Sequence, residues 1–315
     1  MSNVTFLWIF SRGIELGVIV LCLLPLRALL HKRFPRLFSY ILWITLPVNL
    51  VYQLVVKLMS SHTANLVHIH KKPDVVIDEN IVYRMKWFWI CGTVAIVVWF
   101  LFSYIRFLRR LIGCIRVQKG IYLADRIRTP FTLGLLWPKI YLPVSLKKEY
   151  YEYVILHERV HISRKDVWMK YLAVLFLGVF WFQPLLWFAC NLFMDDMEEA
   201  CDETVIRERG AEFREAYAKA LVEISFQAGK VYGAAVGYGN GTIKSRVKHI
   251  MSYKKANKRG QFLAIVVCVL FIAFSGYVSW QVPRMVQREQ VNENGNDIMI
   301  IRQDGTGKKV MLGEK

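Results

Sequence analysis

Apolar residues in this chain fall into long blocks and not into the three-and-four spacing of a single amphipathic face. Four blocks, residues 4–30, 37–59, 87–104 and 262–282, can each cross a hydrocarbon core of about 30 Å, which takes roughly 20 helical residues. They predict four membrane helices. The first block holds Arg12 and Glu15, three residues apart and able to pair on one helix face, with no role that the sequence assigns. No Lys or Arg precedes it and no small-residue cleavage pattern closes it, so a retained span is expected, not a removed signal.

A fifth apolar block, 168–193, is interrupted by Phe182-Gln183-Pro184, and proline breaks a helix by removing a hydrogen bond and crowding the preceding turn. Between the third block and this one the texture changes. Ile121-Tyr122-Leu123 and Lys139-Ile140-Tyr141-Leu142 are short β-prone runs set apart by Pro130, Gly134 and Pro138, which predicts a small strand or hairpin element. The stretch 283–315 is polar, with a short strand expected at 298–301.

Composition agrees with a membrane protein. Hydrophobic residues make up 55% of the 315, and the formal charge is +18. That charge could serve nucleic acid, but Lys and Arg crowd the ends of the apolar blocks, where anionic lipid headgroups attract them. Arg27, Lys32, Arg33 and Arg36 follow the first block, Arg106, Arg109, Arg110 and Arg116 the third, and Lys254, Lys255, Lys258 and Arg259 precede the last. If the spans alternate, all three clusters share one side, and the positive-inside rule makes it cytoplasmic. The loop 60–86 and the tail then lie outside and the segment 106–260 inside. The six cysteines form no C-x-x-C pair and read as packed thiols.

Chemistry enters at Leu156-His157-Glu158-Arg159-Val160-His161, an H-E-x-x-H pattern. On a helix, i and i+4 lie one turn apart on one face, so His157 and His161 can hold one zinc ion while Glu158 serves as general base toward water. As a Lewis acid, zinc activates that water and polarises a scissile carbonyl. A catalytic site usually has three protein ligands, and Glu198, in Asp195-Asp196-Met197-Glu198-Glu199-Ala200-Cys201-Asp202, is the third candidate. Asp202, one turn on, could orient a ligand imidazole. Glu199 points about 100° away and is the weaker choice, and Cys201 reads as a packed thiol. If His161 and Glu198 share a metal, the block 168–193 cannot cross the membrane once and must be a re-entrant or buried helical hairpin. The bland reading treats the two histidines as polar residues of an exposed helix and the acidic run as a solvated face. His68 and His70, in the loop 60–86, are assigned no role.

These residues resemble the BlaR/MecR-type membrane metallopeptidases, the receptors that regulate β-lactam resistance, and their sensorless relatives. The likeness runs over about 122–253 and rests on four ordered motifs. They are the strand element from Pro130 to Pro143, the H-E-x-x-H-x-x-R-x-D helix from His157 to Asp166, the aromatic-proline corner Phe180 to Trp187, and the E-x-x-C-D segment from Glu198 to Asp202. The resemblance implies a zinc peptidase facing the cytoplasm, related in ligand pattern to the HtpX and Ste24 type proteases. In the receptor members an external sensor signals through the membrane and the peptidase removes a DNA-binding repressor. This chain departs from that plan, because the stretch after Val282 is too short for a penicillin-binding domain. S-x-x-K occurs at Ser145, Ser245 and Ser252 without S-D-N or K-T-G, so β-lactam sensing is not expected.

The expected fold is mainly α and polytopic: about four transmembrane helices plus a re-entrant hairpin, with a small β element beside a gluzincin-like H-E-x-x-H unit. Residues 1–105 form three membrane helices, 106–260 a cytoplasm-facing peptidase domain with the hairpin 168–193 embedded, 261–282 the last span and 283–315 an external tail. The expected function is a bacterial cell-membrane zinc metalloendopeptidase, one Zn2+ per chain, acting on a regulatory or membrane-associated protein. A non-catalytic signalling scaffold with a structural zinc, and a quality-control protease, are the alternatives. Expected partners are a protein substrate such as a winged-helix repressor, membrane lipids and a second copy in a homodimer, with no direct nucleic acid. Thr132, Leu133 and Gly134 are expected to bind substrate as an added strand on a sheet edge. Tyr217 and Arg207 are the alternatives for stabilising an oxyanion.

Overall fold

A computed structural model describes residues 3–63, 79–210, 212–229, 240–253, 258–293, 300–303 and 309–312. Helices α1 (Asn3–Arg33), α2 (Arg36–Leu42), α3 (Thr45–Thr63) and α4 (Glu79–Arg109) lead into strands β1 (Ile115–Gln118), β2 (Ile121–Ala124), β3 (Phe131–Leu133) and β4 (Lys139–Pro143). Helices α5 (Tyr151–Ser163), α6 (Asp166–Val179), α7 (Pro184–Arg209), α8 (Phe213–Gly229), α9 (Asn240–Ser252) and α10 (Lys258–Glu293) follow, then strands β5 (Ile300–Gln303) and β6 (Lys309–Leu312). His68 and His70 lie outside the described residues.

Among the described residues, four stretches are long and apolar enough to cross a membrane: Thr5–His31, Arg36–Met59, Asn80–Arg109 and Arg259–Tyr277. The third starts earlier and ends later than its apolar block, because charged residues at a block's edge end the hydrophobic run without ending the helix. The second is broken between α2 and α3. Pro47 has no N–H to give the carbonyl of Trp43, and the chain there closes tighter turns, Trp43 to Tyr40 and Ile44 to Ile41. Inside the bundle Arg12 and Glu15 pair, and Gln53 of α3 donates a hydrogen bond to Glu15 at 3.3 Å. Helix α10 continues past residue 282 to Glu293, so no helix end marks the expected boundary between span and tail.

The fifth apolar block is two helices. Pro184 occupies the first turn of α7, where its missing N–H costs nothing, and the N–H of Gln183 closes a turn on the carbonyl of Phe180 at 2.9 Å. This corner is wedged between α1 and α4. The Phe182 ring stacks on Phe10 with centroids 5.1 Å apart, and the Gln183 amide donates to the carbonyl of Gly13 at 3.1 Å. A Cβ at Gly13 would strike Phe182 and one at Gly92 would strike Trp181, so each glycine is where a helix admits the corner.

The sheet is larger than the expected hairpin. Its order is β1-β2-β4-β3, with β2 and β4 parallel and the outer pairs antiparallel. The sequence hid β1, whose four residues are all exposed, and β3, which has three residues. Ile121, Ile140 and Leu142 pack on Val154 of α5, and β3, an edge strand, runs beside that helix. The largest core joins Leu16, Val20 and Leu23 of α1, Leu42 and Trp43, and Phe193, Met197 and Ala200 of α7. A second core, around Val160, Cys201, Val205, Tyr217 and Ile250, ties α5 to α7, α8 and α9.

Candidate metal centre

The site forms where α5 crosses α7. His157 and His161 project from one face of α5 with Nε2 atoms 3.1 Å apart, and Glu198 of α7 brings Oε2 to 3.3 Å from His157 Nε2 and Oε1 to 3.5 Å from His161 Nε2. Donors about 2.0–2.1 Å from one tetrahedral zinc stand about 3.3–3.4 Å apart, so the set has the right spacing. The two ends of the fifth apolar block are therefore held together.

Each imidazole is held from behind. Asp166 Oδ2 lies 2.7 Å from His161 Nδ1, a contact made possible by Lys165, whose left-handed backbone (φ 59°) turns the chain sharply between α5 and α6. The Tyr217 hydroxyl lies 2.8 Å from His157 Nδ1 and donates to Asp202 Oδ1 at 2.6 Å. Since that hydroxyl proton is spent on Asp202, its oxygen accepts from Nδ1–H. Both rings thus carry the proton on Nδ1 and turn Nε2 lone pairs toward one another.

Electrostatics sharpen the point. Burial works against protonating His157, but Cys201 and Glu198 outweigh it and lift the ring to about 10. Burial likewise opposes a charge on His161, and Cys201, Glu198 and Asp166 raise it well above the ordinary imidazole value. Burial would raise Glu198, yet His161 and Arg246 hold it well below the usual carboxylate range. The pocket demands positive charge, but two Nε2–H groups cannot face each other at 3.1 Å. A divalent cation meets both conditions, and the donors, two imidazoles and a carboxylate, suit zinc.

Cys201 is the competing donor, since His157, His161 and Cys201 offer ligand atoms within 4.8 Å of one another. Its Sγ, however, lies 3.5 Å from Nδ1 of His157 and donates to that residue's carbonyl at 3.4 Å, behind the ring. The Nε2 side faces Glu198.

Glu158 is buried, and its Oε2 accepts a hydrogen bond from Thr132 Oγ1 at 2.7 Å, so the side chain of Thr132 is occupied by the acid. Leu133 ends the same edge strand, and Gly134 follows it with a positive φ of 113°. Asp202 reaches His157 mainly through Tyr217, its own oxygen being 3.4 Å from Nδ1. Tyr217 is buried in that relay, and Arg207 is exposed, so neither shows a free donor over the Nε2 pair. Glu199 accepts from Ser245 at 2.6 Å and pairs with Arg36 at 3.0 Å, away from the centre. Sequence reasoning missed Arg246. From α9 it grips Asp202 at 2.7 and 2.9 Å and reaches 3.3 Å from Glu198, offsetting one buried and one half-buried carboxylate. The distance of 44 residues from Asp202 left no local pattern to find it by.

The family described as BlaR1 peptidase M56 matches residues 7–250. The methicillin resistance mecR1 protein of Staphylococcus aureus is 29% identical over 156 residues, 46% of this chain and 27% of that protein. The regulatory protein BlaR1 of Bacillus licheniformis is 34% identical over 84 residues, 26% of this chain and 14% of the relative. The matched segments thus span about a quarter or less of these relatives' own lengths. A match over most of the chain, through both spans and metal helix, settles the matter of kinship: the chain belongs to the BlaR1 peptidase M56 family.

Proposed function

We propose that the chain is a membrane zinc metalloendopeptidase whose site faces the cytoplasm and which cleaves a cytoplasmic regulatory protein, of the repressor kind, or a membrane-associated one. The observation that carries this is the pair of Nε2 atoms 3.1 Å apart with one carboxylate within 3.5 Å of each. Zinc bound there supplies Lewis acidity toward a water and a carbonyl. His157, His161 and Glu198 would hold it, while Asp166 and the Tyr217–Asp202 pair keep both rings in the binding tautomer. Glu158 takes a proton from the attacking water and returns it to the leaving amine, and Thr132 orients that carboxylate. The free edge of β3 beside α5 is where an extended substrate adds as a strand.

The re-entrant hairpin belongs to the same reading. Fourteen residues of α6 rise about 21 Å from Asp166, and the corner meets Gly13 and Gly92, within two candidate spans. The basic clusters favour a cytoplasmic position for its open end. The relatives' names, a regulatory protein and a resistance protein, support a substrate in a regulatory circuit.

The test compares protein N-termini in cells expressing the wild-type chain or Glu158→Gln at equal levels and equal zinc content. New N-termini should arise with the wild type alone. Identical sets would refute proteolysis and favour a scaffold with a structural metal.

A further inference from the structure

Helix α2 belongs to the second candidate span, yet one of its side chains ends beside the metal centre. Resting on the metal reading above, we infer that Tyr40 is a positioning residue for His161, fixing Asp166 from within the membrane bundle and so tying the donor geometry to the packing of α2.

Asp166 is fully buried and divided between two partners: Oδ2 holds His161 Nδ1 at 2.7 Å and Oδ1 accepts from the Tyr40 hydroxyl at 2.9 Å. The phenol cannot swing away, because its ring stacks on Phe193 with centroids 5.7 Å apart and lies under the Arg164 guanidinium at 4.7 Å. Arg164 is the competitor. Its Nε is 3.5 Å from Asp166 Oδ1, and all three guanidinium nitrogens are buried without a hydrogen-bond partner. A buried cation without hydrogen bonds is costly, so a carboxylate released by Tyr40 closes on Arg164 and loosens its hold on His161.

Helix α2 and the Trp43 that caps it also hold α7, the helix that carries the Glu198 donor. Trp43 Nε1 donates to Asp196 at 2.7 Å, the Arg36 N–H donates to Glu203 at 2.6 Å, and Arg27, near the end of α1, clasps Asp196 with two bonds of 2.7 Å. Asp196, Glu199 and Glu203 recur at three- and four-residue intervals and line a face of α7 turned about 100–160° from Glu198. Membrane helices therefore touch the supports of both ligand-bearing elements, and α2 touches both at once.

The experiment uses the full chain in detergent, loaded with Co2+ as a spectroscopic substitute for zinc. Tyr40→Phe keeps the stacked ring and removes only the hydroxyl, whereas Ser39→Ala removes a neighbouring buried hydroxyl that has no hydrogen-bond partner. Tyr40→Phe should alter the Co2+ absorption bands and speed release to a chelator on the order of 10- to 100-fold, with Ser39→Ala matching the wild type. Adding Arg164→Gln to Tyr40→Phe should restore slow release, because the competitor is gone. Wild-type spectrum and release in Tyr40→Phe overturn the inference, and fast release in the double variant overturns the role given to Arg164. A wild-type chain that takes up no Co2+ would instead sink the metal reading beneath it.

Discussion

Thr132 and Glu158 are joined by a 2.7 Å hydrogen bond between the edge strand and the metal helix, so the strand proposed to receive substrate also aims the proposed base. Replacing Thr132 by Val keeps the β-branched shape that suits a strand and removes the hydroxyl. A hydrogen bond to a charged group is worth about 1.5–3 kcal/mol. Thr132→Val should therefore lower kcat by roughly 10- to 100-fold with little change in KM or zinc content, measured on a peptide spanning a cleavage site found by N-terminal mapping. A change in KM alone would mean that Thr132 contacts substrate and not the base.

Metal uptake should depend steeply on pH. His157 carries a raised proton affinity of about 10, whereas a ligand imidazole must be neutral. At pH 7.5 the incoming ion displaces the proton held between the two Nε2 atoms, and affinity climbs with pH until that proton leaves on its own. Titration calorimetry in two buffers of different ionisation enthalpy should report release of at least one proton per metal. The sign for stability is the reverse. In the metal-free chain the raised imidazole stabilises the fold fully below its unfolded value of about 6.5, and that contribution fades as pH rises through about 10. Equal heats in the two buffers would contradict this account.

How far the sequence can be read depends on distance along the chain. His157, Glu158 and His161 show themselves because a helix turns four-residue spacing into adjacency, and the break at Pro184 announces the corner. Asp166 is five residues past His161 and lies in the recognised motif, yet the left-handed turn at Lys165 that folds it back is not a glycine and gives no warning. Tyr40, 126 residues from Asp166, and Arg246, 44 from Asp202, carry no periodic signal at all. Glu199 illustrates the opposite case. It looks like one of five carboxylates between Asp195 and Asp202 awaiting a metal, and only packing against α2 and α9 shows that Arg36 pairs with it and Ser245 donates to it.

The hairpin can be tested by labelling. Lys165 precedes α6 and Arg209 ends α7, and both should lie on the cytoplasmic side if the fifth apolar block turns back. In a background with the six native cysteines replaced, Lys165→Cys and Arg209→Cys should both react with an impermeant maleimide in inside-out vesicles and neither in intact cells. Opposite behaviour at the two sites would mean a single crossing, which the shared His161–Glu198 contact forbids.

The third donor is the assignment most open to a decisive experiment, because Glu198 and Cys201 sit one turn apart on α7 and both lie close to His157. Their positions relative to the ring differ. Glu198 faces Nε2, where the lone pairs of both histidines converge, whereas Cys201 lies against Nδ1, whose proton is directed to Tyr217. For Cys201 to serve, His157 would have to exchange tautomers and give up Tyr217, leaving a buried phenol with one fewer partner. Cys201→Ser should thus retain one metal per chain, and the wild-type chain loaded with Co2+ should lack the intense thiolate-to-metal charge-transfer band. Glu198→Gln removes the anionic donor and leaves Arg246 with less to balance, so metal affinity should fall by at least about 10-fold. A strong charge-transfer band that disappears in Cys201→Ser would reassign the ligand, and with it the face of α7 that the metal occupies.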